Sequence, residues 1–245
     1  MNPPEIFDFI VSERFISLQG EGPSVGQPAA ILRLGRCNLS CSWCDTPYTW
    51  DFEQFDPEKE LSRISAAEIA GWLAEVEVDR LILTGGEPLL QQKRLPALFR
   101  LVDELRQRGN RQPLYIEVET NGTIAPIPEL QERIDQWNIS PKLHSAGQDR
   151  KKSFRADALE LLLAGRKAYL KFVVAGEADL RDVKELCHRL GSLVPPKENI
   201  LIMPEARTAE ELGERSPRVA HWALREGWGF SSRLHLTLYG GKRGT

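Results

Sequence analysis

Residues 65–88, SAAEIAGWLAEVEVDRLILTGGEP, hold one full unit of the pattern on which this chain is built. Ser65-Ala-Ala-Glu68 reads as a capping box, the serine hydroxyl taking a first-turn amide while the glutamate reaches back. Ile69, Trp72, Leu73 and Val76 then fall on one helical stripe. A β-branched and leucine-rich run, RLIL, follows and stops at a glycine pair, which marks a strand ending in a turn. Helix, buried strand and glycine turn thus follow one another within 24 residues.

Outward from this unit the alternation continues. LPALFRLVDELRQRG (95–109) has Pro96 near its start and Gly109 past its end, the asymmetry expected of a helix. PLYIEVETNG (113–122) reads as a strand and turn, PELQERIDQ as a short helix, and WNISPK (137–142) as a strand end. FRADALELLLAG, AYLKFVVAG and DLRDVKELCHRLG read as helix, strand and helix. NILIMPEA is a strand, Thr208 to Glu211 offers a second capping box, and a helical pattern recurs around RVAHWALREG. RLHLTLYG (233–240) alternates and predicts a closing strand. Upstream, DFIVSERFISL (8–18) predicts a strand, GEGPSVGQP a loop, and PAAILRLG (28–35) a strand buried on both faces. Strand–helix units repeated about six times call for a parallel α/β sheet with right-handed crossovers, too few to close eight strands. The expected fold is a partial (β/α)6 barrel, open on one side, in a single domain over residues 1–245 with a short N-terminal strand and turn and a C-terminal strand extension.

Composition narrows the function. Apolar residues make up 41% and charged residues 27%, with a formal net charge of −3. That balance argues against nucleic acid or a membrane surface as the main partner. No run approaches a membrane span, and MNPPEIFDFIVSERF lacks the parts of a signal peptide, so a cytoplasmic protein with reduced thiols is expected.

Three of the four cysteines, Cys37, Cys41 and Cys44, stand in CNLSCSWCDT directly after the PAAILRLG strand. Thiolates suit iron–sulfur clusters, zinc or cuprous copper. A closed zinc site wants four ligands, and the nearest histidine, His144, lies about a hundred residues on. Three thiolates on a four-iron cluster would leave one iron without a protein ligand. In a sheet of this kind, functional residues gather where strands end. Thr84-Gly85-Gly86-Glu87-Pro88, Glu119-Thr120-Asn121-Gly122 and Ser140-Pro141-Lys142 are such endings, and Gly-Gly lets a ligand approach the backbone.

CxxxCxxC, with the aromatic Trp43 before the last cysteine, resembles the signature of the radical S-adenosylmethionine (SAM) enzymes, and GGEP resembles their SAM-binding turn. That resemblance implies a partial barrel of the radical SAM type, a 4Fe-4S cluster on Cys37, Cys41 and Cys44, and SAM held by Trp43, Cys44, Asp45, Gly85, Gly86, Glu87, Ser140, Pro141 and Lys142. More narrowly, SLQGEG (17–22), a strand bearing Arg33, Cys-Asp-Thr at 44–46 and the ending LHLTLYGGKRGT resemble the 7-carboxy-7-deazaguanine synthase family. The match runs from about residue 12 to the C-terminus. It implies ring contraction of 6-carboxy-5,6,7,8-tetrahydropterin to 7-carboxy-7-deazaguanine with loss of ammonia, toward the tRNA base queuosine. It gives Leu18, Gln19, Gly20, Arg33 and Thr84 to the pterin and Thr46 to a magnesium ion, and implies a homodimer and an electron donor such as flavodoxin or ferredoxin. An arginine in an apolar strand needs an anionic or hydrogen-bonded partner, and a substrate carboxylate is the expected one for Arg33. Asp45 is chemically the more obvious magnesium ligand than Thr46. The competing functions are a glycyl-radical-enzyme activase and a non-enzymatic zinc-binding interaction module. Cys187 reads as a packed helix residue. His144 is the histidine nearest the expected rim, and the aromatic segment after Thr46 reads as either a lid or a subunit contact.

Overall fold

The computed structural model describes residues 7–165 and 167–245; the first six residues, on which part of the N-terminal reading falls, lie outside them. In chain order the elements are β1 (Asp8–Leu18), β2 (Pro28–Leu34), α1 (Pro57–Glu60), β3 (Ser62–Ser65), α2 (Ala66–Glu75), β4 (Arg80–Gly85), α3 (Leu95–Arg108), β5 (Tyr115–Thr120), α4 (Pro128–Arg133) and β6 (Gln136–Ile139). Then follow α5 (Arg150–Ser153), α6 (Ala156–Leu163), β7 (Ala168–Val174), α7 (Glu177–Leu190), β8 (Ile200–Pro204), α8 (Ala209–Glu226), β9 (Gly229–Phe230) and α9 (Leu234–Tyr239).

The strands form one sheet in the order β3-β1-β2-β4-β5-β6-β7-β8-β9. From β2 to β9 every neighbour pair is parallel, while β1 runs antiparallel to both β2 and β3. β3 and β9 are the two edges and do not pair, so the barrel stays open. Each parallel step crosses over through at least one helix, which covers the outer face. Ala30, Leu32 and Leu34 of β2, Leu81 and Leu83 of β4, Ile116 and Val118 of β5, and Leu170, Phe172 and Val174 of β7 all enter one core with the helices. Their alternates point to the inner face, because successive strand side chains point to opposite faces.

Local chemistry accounts for most boundaries. The Ser65 hydroxyl accepts the Glu68 amide at 3.2 Å, but the Glu68 carboxylate takes Arg14 on β1 at 2.7 Å instead of turning back. Half of the expected box is therefore made, and the other half ties α2 to the sheet. The segment after Thr46 contains a short 3-10 turn (Pro47–Thr49), α1 capped by Asp56, and the edge strand β3, none of which the sequence reading separated.

The predicted C-terminal strand is a helix. Leu234, Leu236 and Leu238 alternate, yet the segment adds no strand to the sheet, which ends at the two-residue β9. Backbone groups must be paired, so the chain pairs them internally, with the Gly240 amide on the Leu236 carbonyl at 3.0 Å. Only Leu236 is buried, against Ala206 and Leu212.

Candidate functional site

A cavity of about 500 Å3 opens at the C-terminal ends of the parallel strands, and the cysteine loop forms one side of it. The loop leaves β2 through Arg36, a non-glycine residue at φ 75°, a left-handed conformation of the kind that clusters at functional sites. Its amide donates to Thr49 O at 2.7 Å and its carbonyl accepts the Glu87 amide at 2.9 Å. Gly85, at φ 151°, and Gly86 lie directly against this crossing. A Cβ on Gly85 would strike the Leu34 backbone, and one on Gly86 would strike the Arg36 carbonyl and sit 2.8 Å from Cys37 Cβ. The glycine pair thus lets β4 approach the cysteine loop itself, as well as lining the cavity.

Cys37, Cys41 and Cys44 all line the cavity. Burial pushes the Cys37 thiol up to about 11 and raises Cys41 as well, and a cationic partner would favour their thiolates. Donors already face two of them. The Leu39 amide lies 3.4 Å from Cys37 Sγ, and the Trp50 indole N–H lies 3.3 Å from Cys44 Sγ. Three soft donors on one wall, met by N–H groups, fit an iron–sulfur cluster with an open iron. Among the described residues no three His, Cys, Asp or Glu side chains converge on a single-ion position, the arrangement a closed zinc centre needs. Cys187 packs against the core from α7, as expected.

The opposite wall is the inner face of the sheet, and it is charged. Glu117 of β5 is fully buried and accepts from Gln19 Nε2 at 2.8 Å, from Arg80 Nη1 at 3.0 Å and from Asn138 Nδ2. Gln19 also donates to Glu119 Oε1 at 3.2 Å, and Thr84 Oγ1 donates to Glu119 Oε2 at 2.8 Å. Lys171 of β7 bonds Glu21 Oε2 at 2.5 Å and stands 4.0 Å from Glu119. Arg233, just before α9, donates to Glu21 Oε1 at 2.9 Å and pairs with Asp45. Burial opposes charge on Glu21, but Lys171 and Arg233 more than offset it and hold its carboxyl well below the usual range. The result is an alternating chain, Asp45–Arg233–Glu21–Lys171–Glu119, that runs from the cysteine loop to the inner wall.

Every residue expected to bind SAM, pterin or metal lines this cavity except Glu87 and Pro141. Glu87 is fully buried behind the wall, and its carboxylate is occupied by the Thr120 hydroxyl at 2.9 Å and the Asn121 and Leu89 amides at 2.8 and 3.0 Å. It clamps β4 to β5. Lys142 lies 5.5 Å above the Trp43 ring and donates to Ser140 Oγ at 3.1 Å. Arg33 lines the cavity, but its partner is internal: its Nε donates to Glu13 Oε2 at 2.8 Å, beside the Tyr48 hydroxyl at 2.9 Å on the same oxygen. Asp45, the chemically obvious magnesium ligand, is engaged by Arg233, while Thr46 Oγ1 lies 3.8 Å from Cys44 Sγ. His144 is exposed and off the wall; His235 lines it, packed against Gly20, because α9 turns that side chain inward. Lys171 and Arg233 are wall residues the sequence reading missed, and Glu21 and Glu119, quoted within SLQGEG and the Glu119–Gly122 ending, were given no role there. Charged residues inside the otherwise apolar strands YIEVET and AYLKFVV were the available signal for Glu119 and Lys171.

The radical SAM superfamily model matches residues 31–212 of this chain. The chain is 35% identical over 237 residues to the 7-carboxy-7-deazaguanine synthase of Pyrobaculum aerophilum, with 96% of each chain covered. It is 35% identical to the enzyme of the same name from Hyperthermus butylicus, covering 92% of this chain and 91% of that one. The crystal structure of QueE from Escherichia coli superposes with a TM-score of 0.66 over 93% of this chain and 95% of that one, at 24% identity, so it speaks for the fold. Coverage this complete at 35% identity, on a partial barrel whose cysteine loop faces a charged cavity, places the chain in the 7-carboxy-7-deazaguanine synthase family of the radical SAM superfamily.

Proposed function

We propose that this chain is a radical SAM lyase that contracts 6-carboxy-5,6,7,8-tetrahydropterin to 7-carboxy-7-deazaguanine with release of ammonia, in the supply of the queuosine precursor. The observation that carries this reading is a cavity with three thiols on one side and a dense set of oriented donors and acceptors on the other. Cys37, Cys41 and Cys44 would hold a 4Fe-4S cluster, which when bound supplies the electron for reductive cleavage of SAM. Trp43, Asp45, Gly85, Gly86, Ser140 and Lys142 would face SAM, with Glu87 and Pro141 supporting that wall from behind.

On the substrate side, Leu18, Gln19, Gly20, Arg33 and Thr84 would meet the pterin. Gln19 has both amide hydrogens on Glu117 and Glu119, so its orientation is fixed before a ligand arrives. Preorganised dipoles of this kind favour the transition state because they need not reorient during reaction. Glu119 offers a carboxylate to the N–H groups of a planar heterocycle, while Arg33 and Lys171 supply positive potential for a carboxylate. Thr46 would contribute a hydroxyl to a magnesium ion, whose remaining ligands would be waters and substrate oxygens.

We read residues 1–245 as one domain acting as a homodimer in the cytoplasm, reduced by a flavodoxin- or ferredoxin-like donor. No helix among the described residues is long and apolar enough to cross a membrane. The test is anaerobic incubation with SAM, a reductant, magnesium and 6-carboxy-5,6,7,8-tetrahydropterin, read by mass spectrometry. Formation of 7-carboxy-7-deazaguanine with one ammonia released is the expected result. Cleavage of SAM without that product would transfer the chain to another substrate.

A further inference from the structure

The segment after the last cysteine supplies a group that the proposed reaction leaves without a role. Trp50 lines the cavity and aims its indole N–H at Cys44 Sγ across 3.3 Å. The backbone that carries this side chain is held by a hydrogen-bonded turn. Thr49 Oγ1 donates to Thr46 O at 2.8 Å, the Trp50 amide donates to Pro47 O at 3.0 Å, and Thr49 O receives the Arg36 amide at 2.7 Å. Residues on both sides of the cysteine triad are therefore stitched together, and the backbone that carries the indole is held against the cysteine loop. The three sulfurs are not served alike. Cys37 receives a backbone amide, Cys44 receives the indole, and Cys41 receives no side-chain or backbone N–H among the described residues.

From this geometry we propose that Trp50 tunes the reduction potential of the cluster through its hydrogen bond to Cys44; the inference rests on the cluster reading above. Reduction adds an electron that spreads onto the thiolate sulfurs. A donor on one of those sulfurs stabilises the more negative, reduced state over the oxidised one. Outer-shell hydrogen bonds are the usual lever by which a protein adjusts a metal centre without changing its ligands. The indole N–H raises the potential, and so eases delivery of the first electron. Trp50 is a positioning residue in this scheme and touches no reacting atom.

The experiment is an anaerobic redox titration of the SAM-free protein, wild type against Trp50→Phe, with the reduced cluster followed by electron paramagnetic resonance. At a poise equal to the wild-type midpoint, the ratio of reduced to oxidised cluster should fall about tenfold in Trp50→Phe, a shift of about 59 mV to more negative potential for one electron. Trp50→His, which restores a ring N–H, should recover part of the shift. A Trp50→Phe protein with full iron and sulfide and an unchanged midpoint overturns the proposal. Wild-type protein carrying 15N in its indole nitrogens gives a second reading: pulsed resonance should find a coupled indole nitrogen. Its absence overturns the proposal even if Trp50→Phe fails to assemble a cluster. Wild-type protein that takes up no iron or sulfide would sink the cluster reading itself, and this inference with it.

Discussion

The two faces of the one sheet are built from the same strands and obey opposite rules. On β7, Leu170, Phe172 and Val174 point outward and are buried among the helices, while Lys171 and Val173 point inward to the cavity. On β5, Ile116 and Val118 point outward, while Glu117 and Glu119 point inward. The outer face is held by apolar burial, which is non-directional and tolerant of exchange among similar shapes. The inner face combines a small apolar cluster around Ile31 and Ile82 with a chain of directed charges, each buried carboxylate matched to named donors. Stability resides mainly in the first face, and the proposed recognition in the second. A substitution therefore acts according to the parity of its position along the strand.

The sharpest way to break this comparison uses neighbours. Phe172→Ala should cost about 3–5 kcal/mol in urea unfolding, with activity per folded molecule nearly kept. Lys171→Met, one residue away, should cut activity on the order of a hundredfold by removing a fixed charge from the cavity. Arg233 still pairs with Glu21, so the Lys171→Met stability loss should be the smaller of the two. Equal stability losses in the two variants would refute the division.

Gly86→Ala comes next, because Gly86 belongs to both regions. A methyl there meets the Arg36 carbonyl and Cys37 Cβ, so iron and sulfide content should fall together with SAM binding. Loss of SAM binding with a full cluster would show that the glycine serves the ligand alone.

Glu21→Gln sharpens the electrostatic side. The folded Glu21 carboxyl is held below its unfolded value of about 4.3, so its contribution is present above that pH and fades as pH falls through the folded value. The melting-temperature gap between wild type and Glu21→Gln should be widest near neutrality and narrow steadily below about pH 4.3. A gap independent of pH would remove Glu21 from the charge chain. The smallest effect is expected for Cys187→Ala, which should leave iron content and activity unchanged and cost about 1 kcal/mol or less; any loss of iron would mean a fourth thiol takes part.

Most strands and helices were legible because each buries a face whose period is written locally. Ser65 and Thr208 cap where their side chains predict, and Pro96 and Gly109 bracket α3. The C-terminal segment was misread because leucines at 234, 236 and 238 alternate as in a strand, whereas the backbone closes its hydrogen bonds within a helix and buries Leu236 alone. Arg33 was legible as an arginine needing a partner, but its partner, Glu13, lies on another strand.

By itself, then, the sequence determined the alternation of strand and helix, the cysteine triad and the strand-end motifs, since each depends on residues within a few positions of one another. Tertiary structure alone decided the charge chain through Arg233, Glu21 and Lys171, the inward turn of His235, and the retreat of Glu87 behind the wall. Glu21 and Lys171 stand 150 positions apart, and Arg233 and Asp45 stand 188 apart. No local period encodes such pairings; they arise only when the sheet curls and brings distant strand ends around one cavity.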